Sequence, residues 1–187
     1  AVLPGTSISH ANTFVYGIAT SANIPSEYKI VKNGAVIDPS GLKKYDVVTL
    51  DAANRQALVS DTRVSGRYSE GGPTVSYPQE VKVYGNSFRI SDSAAAFFKD
   101  MKLKDYITLL FDADGNVAAA YPRSTVSADM QGIVTAIDES KATVTLTNGV
   151  TLRNMDIDKL DKPTALMGRL VSVSTNGDKA VLTRRTL

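Results

Sequence analysis

The chain has no cysteine, no tryptophan and a single histidine, His10. Without cysteine there is no disulfide, no thiolate nucleophile and no thiolate-bound zinc. One imidazole leaves almost no scope for histidine-ligated metals or for a base of the Ser/His/Asp kind. Charge of one sign is also lacking: 21 basic residues stand against 19 acidic ones, a formal +2. Counterion release on nucleic acid or an anionic membrane would require clustered Lys and Arg. No run approaches the roughly 20 apolar residues of a membrane-spanning helix. We therefore expect neither a nucleic-acid partner nor membrane insertion. Yet 43% of the 187 residues are hydrophobic, too many for a disordered chain.

The absence of cysteine fits two compartments. A reducing cytosol gives thiols no structural use, and a surface protein can avoid stray oxidation by doing without them. Abundant Thr, Ser, Val, Ala, Gly and Asn favour the second. The opening Ala1-Val2-Leu3-Pro4-Gly5 has no charged n-region and no apolar h-region, so no signal peptide is expected in it. A removed leader or an excerpt from a longer protein would both account for such a start.

What is present is short, alternating apolar runs separated by turn residues. Residues 45–50 (Tyr-Asp-Val-Val-Thr-Leu) meet Asp51-Ala52-Ala53-Asn54 and continue as 56–60. Residues 107–111 meet Asp112-Ala113-Asp114-Gly115-Asn116 and continue as 117–121, and 170–174 run through Thr175-Asn176-Gly177-Asp178 into 180–183. Asn-Gly and Asp-Gly supply the positive φ that tight hairpins need. Upstream of the first and last hairpins the likeness continues. Gly17-Ile18-Ala19-Thr20 matches Gly132-Ile133-Val134-Thr135, and the Asn33-Gly34 hairpin (29–37) matches the Asn148-Gly149 hairpin (144–152). The middle copy opens on 64–68 and turns on Gly85-Asn86.

The pattern predicts an all-β chain with minor helix, built as tandem five-stranded β-barrel or meander modules at 1–61, 62–125 and 126–187. Closing a small sheet into a barrel would remove its exposed edges. Units of this size have thin cores and should pack on one another, the first against or into the second. A short helix is expected near 92–100, capped from Ser91-Asp92-Ser93, with Phe97 and Phe98 both facing the core. Residues 156–166 form a second helical candidate ended by Pro163, matching the 39–44 connector of the first copy.

Candidate chemistry is thin. Asp112-x-Asp114-Gly115 opens like a calcium loop, but the twelfth position, where a bidentate Glu belongs, is Arg123. A capped hairpin turn is expected instead. His10, near Ser7 and Ser9, lacks a Gly-x-Ser-x-Gly elbow and reads as exposed. Asp138-Glu139 and Asp156/Asp158/Asp161 read as solvated surface, and Arg184-Arg185 as a strand end. Gly71-Gly72 has no following Lys-Ser/Thr to complete a phosphate cradle. The longest irregular stretch, 66–78, is where a β scaffold would carry recognition. Tyr68 and Tyr77 there, with Tyr84, are the candidate ligand-binding residues, able to stack on a sugar or a partner side chain. No catalytic residue, metal or cofactor is assigned.

Residues 43–51 followed by 58–61, and 103–112 through 114–118, resemble the β-rich segments of S-layer-homology-domain proteins of Gram-positive anaerobes. The likeness covers 41–135. The helical S-layer homology repeat and its Trp-Ala pair are missing. The resemblance thus implies a non-anchoring, extracellular, wall-associated region that is not an enzyme and has no catalytic residues to carry over. The function expected is a cell-surface structural or adhesive module. The alternative is a module that binds carbohydrate or cell-wall polymer, with wall polysaccharide or a protein as partner.

Overall fold

The computed structural model describes residues 12–18 and 23–185. It is mostly β, with four sheets and three short 3-10 helices. The first sheet comprises β1 (Thr13–Val15), β2 (Lys29–Lys32), β3 (Ala35–Ile37), β4 (Val47–Asp51) and β5 (Gln56–Ser60), in the order β1-β4-β5-β2-β3. The expected opening strand at 17–20 lies instead at Thr13–Val15. Gly17 is in a turn with φ +80, and Ala19 and Thr20 fall outside the described residues.

The middle region holds β6 (Arg63–Arg67), β7 (Glu70–Gly72), β8 (Glu80–Val83), β9 (Asn86–Arg89), β10 (Tyr106–Phe111) and β11 (Val117–Pro122). They form two three-stranded sheets, β11-β10-β6 and β7-β8-β9. The chain passes between these sheets at Tyr68. Its amide bonds to Asp105 O on the β10 side, and the next amide, Ser69, bonds to Lys82 O on β8. The last sheet has β12 (Gln131–Ile137), β13 (Lys141–Leu146), β14 (Thr151–Asp156), β15 (Leu170–Asn176) and β16 (Lys179–Arg184), ordered β14-β13-β12-β15-β16.

None of these sheets closes into a barrel, contrary to the sequence expectation. In the middle region the far strands touch through one parallel bridge, Ile90 with Val117, and in the last through Ile157 with Ala180. A single bridge is no ladder. The second and third modules share a core, whereas the first keeps a small one of its own at Ile30, Val48, Ala57 and Val59. One buried cluster runs from Val64 and Phe98 in the middle region to Leu152, Met155 and Val171 in the last. The first sheet departs further: β5 pairs in parallel with β2, where the later modules place their third strand.

β10 explains how the first sheet docks. Its apolar run is buried on both faces, as strands covered on two sides are. Leu109 and Phe111 face the large core. Leu110 faces a second cluster with Val15, Val47, Ala118 and Ala119. The first module therefore packs on the outer face of the second and adds no strand to it.

The expected middle helix is a 3-10 helix, Asp92–Phe98, with Ser91 at its N-cap but no side-chain cap bond. Phe98 is fully buried, whereas Phe97 is 38% exposed. Neighbouring positions on any helix point in different directions, so both rings could not enter one core. In the last region Pro163 begins the 3-10 helix Pro163–Leu166 rather than ending one, using its fixed φ at the first turn.

Candidate functional site

The structure divides the three expected ligand-binding tyrosines. Tyr68 is fully buried, edge-on to Phe98 with centroids 5.6 Å apart. Its hydroxyl donates to Val75 O at 2.7 Å, and burial pushes the phenol up to about 12. Gly71 is required beside it, since a Cβ there would overlap the Tyr68 hydroxyl. Tyr84 is buried too, its hydroxyl donating to Ser65 O at 2.9 Å and meeting Thr175 Oγ1 at 2.5 Å. Burial is also the leading cause that raises its pKa. Neither ring is open to stack on a ligand: Tyr68 is buried under the 66–78 stretch, and Tyr84 is buried where the second module meets the third. Tyr77 alone is exposed, at 59%. Part of that stretch is strand: Glu70–Gly72 pairs with β8.

The other candidates are structural. Asp112 Oδ1 accepts the amides of Asp114 at 2.9 Å and Asn116 at 3.0 Å, so the Asp-x-Asp-Gly segment is a capped turn with Gly115 at φ +85. Asp138 caps the Ser140 and Lys141 amides, which hold its carboxyl below the usual range. Asp156 pairs with Lys141, and Asp158 lies 3.5 Å from Lys179. Arg185 donates to Ser172 Oγ at 3.1 Å. His10 lies outside the described residues. Among the described residues, no group of three or more His, Cys, Asp or Glu is placed to hold a metal ion, and no helix is long and apolar enough to cross a membrane.

A cleft of about 980 Å³ lies where the 3-10 helix Asp92–Phe98 meets the start of β10 and the end of β11. Phe97, Tyr106 and Tyr121 form its aromatic wall, over a floor of Met101, Ile107 and Ala120. Tyr121 sits edge-on between Phe97 at 5.5 Å and Tyr45 of the first module at 5.2 Å, so three rings run in a row. Burial raises the Tyr121 hydroxyl, and Tyr45 adds to the effect. Arg123 holds its guanidinium over the Tyr106 ring, 4.2 Å from the centroid. Lys99 and Lys104 stand exposed at the same rim, alongside Asp100 and Asp105. One Asp105 oxygen is engaged by the Lys102 amide at 2.9 Å.

No protein-family model, curated protein or solved structure matches this chain. Partly exposed rings and a planar cation form a surface that can hold the apolar face of a ring-shaped ligand and an anionic group beside it. None of these residues is a binding candidate by sequence alone. Phe97-Phe98 did carry a signal, since one of two adjacent aromatics on a helix must face away from the core. Tyr106, Tyr121 and Arg123 carry no local signal, because pairing of β10 with β11 brings them together.

Proposed function

We propose that this chain is a non-enzymatic structural or adhesive β module of an extracellular, wall-associated bacterial surface protein. The observation that carries this reading is the side-chain locking of successive modules. Asp46 of the first module is buried, 2.8 Å from Lys32 and 3.9 Å from Arg63 of the second. Asn148 of the third donates to Arg63 O at 3.1 Å. Asn86 and the Arg153 backbone exchange two hydrogen bonds, each 3.0 Å. Such contacts suit a stiff spacer better than beads on a string. On this reading the second and third modules are half-open barrels of one design. The last runs as one five-stranded sheet and the second as two three-stranded sheets joined at Tyr68, and in each the two far strands meet at one parallel bridge.

Hydrogen exchange tests the spacer. The Ala128 and Arg153 amides, which bond across module boundaries, are expected to be as protected as those of β10. Fast exchange there with slow exchange within the sheets would sink it. Location is tested by labelling intact cells that make the parent protein with a membrane-impermeant reagent. Labelling only after lysis would place the chain elsewhere. Hydrolysis of any wall polymer or peptide by the purified chain would remove the non-enzymatic reading.

The second reading, binding of carbohydrate or cell-wall polymer, is favoured by the aromatic cleft at Phe97, Tyr106 and Tyr121. Co-sedimentation with purified Gram-positive sacculi is expected to saturate and to survive high salt. Retention that vanishes with salt would reduce it to charge attraction. Tyr77→Ala is expected to leave retention unchanged if the cleft, and not the 66–78 stretch, is the contact.

A further inference from the structure

We infer that the cleft between the Asp92–Phe98 helix and the β10–β11 hairpin is a binding site for an acidic polysaccharide. The ligand's sugar faces would lie on Phe97 and Tyr121, and its carboxylates on Arg123, Lys99 and Lys104. This rests on the second reading above and narrows it to a ligand class and a set of residues.

Three observations lead to it. The first is charge. Three cations line the rim, and none of Lys99, Lys104 and Arg123 takes part in an ion pair among the described residues. Two carboxylates share the rim, Asp100 beside Lys99 and Asp105, whose one oxygen is engaged by its own turn, so the cations outnumber them by one. The second is preorganisation. The Arg123 amide bonds to Tyr106 O at 3.0 Å and its guanidinium rests on the Tyr106 ring. Lys104 is held at both backbone ends, its amide on Tyr68 O and its carbonyl accepting Arg67 Nε at 3.3 Å. Two cations are thus presented from pinned backbone, which lowers the ordering cost of binding.

The third observation separates a glycan from a peptide. An extended peptide would bind most readily by adding a strand to β11, the edge of its sheet. That edge is covered. The helix packs along β11 with Ala94, Ala95 and Phe98 buried, and Ser91 N bonds to Val117 O. What the cleft offers is side-chain surface: ring faces, a short apolar floor and cations. Its volume of about 980 Å³ admits a short oligosaccharide and lies at the upper end of ordinary small-ligand sites.

The test is calorimetric titration of the purified chain with short oligogalacturonides, their carboxyl-reduced neutral counterparts and poly-glutamate. Oligogalacturonides are expected to bind, with the neutral sugars and poly-glutamate each weaker by roughly tenfold or more. Phe97→Ala and Arg123→Gln should each weaken oligogalacturonide binding by roughly tenfold. Phe97→Ala loses the ring contact with Tyr121 and is expected to melt somewhat lower yet still fold, so the exposed Lys99→Gln provides a second variant that leaves the packing untouched. Equal binding of acidic and reduced sugars would overturn the assignment. So would poly-glutamate binding as tightly with no effect of Phe97→Ala, which would indicate a peptide or bare charge. Sacculus retention that persists in both variants would overturn this cleft while leaving wall binding intact. Oligogalacturonide binding at the cleft without sacculus retention would support the site and defeat the wall as its source.

Discussion

The Tyr84 hydroxyl lies 2.5 Å from Thr175 Oγ1, across 91 residues of sequence, and joins the second module to the third. Tyr84 also occupies a left-handed backbone position, φ 55, followed by Gly85 at φ 73. Those are the values that Asn33 and Gly34 adopt in the first module's hairpin, 53 and 79. A tyrosine in that conformation costs about 1 kcal/mol relative to a relaxed backbone. Burying the ring and bonding its hydroxyl offset it. Gly66 makes room opposite, because a Cβ there would collide with Val83 and come within 2.8 Å of the Tyr84 ring.

Tyr84→Phe is therefore expected to destabilise by about 1–2 kcal/mol, since Ser65 O loses its donor. Thr175→Val should cost a similar amount. A double-mutant cycle read by denaturant unfolding is expected to give a coupling of about 1 kcal/mol. Additive effects would mean that the two hydroxyls do not support each other.

Asp46 is 1% exposed and touches Lys32 at 2.8 Å, with the Lys43 amide on the same oxygen at 2.9 Å. Asp46→Ala takes away the shortest contact of Lys32, leaving it Gly41 O at 3.3 Å and Asp61 at 3.9 Å, and is expected to cost about 2–3 kcal/mol. Replacing Lys32 and Asp46 together by Met and Leu should cost less than Asp46→Ala alone. Unfolding midpoints of the three variants decide the point.

The half-buried Asp112 has its pKa raised, chiefly by burial, against the lowering pull of the Asn116 and Asp114 amides. A carboxyl whose folded pKa is raised binds its proton more tightly when folded, so ionising it at neutral pH subtracts stability. Asp112→Asn keeps the accepting oxygen and is expected to melt higher than wild type at pH 7. The gap should close as pH falls through the carboxylate range, about 4. A gap that is flat with pH, or reversed, would refute this.

Tyr68 gives the alkaline counterpart. With its folded value pushed up to about 12 and an unfolded value near ~10, its contribution is complete below pH ~10 and is lost as pH rises toward 12. Phenolate absorbance should show Tyr68 among the buried tyrosines that ionise late, with Tyr68→Phe removing one tyrosine's share of that late rise. Tyr68→Phe should be less stable at pH 7, having lost the bond to Val75 O, and should decline less steeply above pH ~10.

Much of the architecture is local and was readable. Asn33-Gly34, Asp114-Gly115 and Asn148-Gly149 mark real turns, because only a few residue types accept positive φ. The Gly85-Asn86 reading placed the middle turn one residue late, since Tyr84 is held in the left-handed region by contacts from another module. The 66–78 stretch looked irregular because Glu-Gly-Gly has no apolar alternation. It is strand because β8 pairs with it.

Period-two runs and turn residues were enough to call for an all-β chain, since both are properties of a few neighbouring residues. Whether a sheet closes, which tyrosine is buried and which rings share a cleft depend on partners tens of residues away. Local pattern makes Tyr68, Tyr77 and Tyr84 equivalent. The tertiary structure sends Tyr68 and Tyr84 into the core and leaves Tyr77 outside. It gathers Phe97, Tyr106, Tyr121 and Arg123 because strand pairing and one shared core place them side by side.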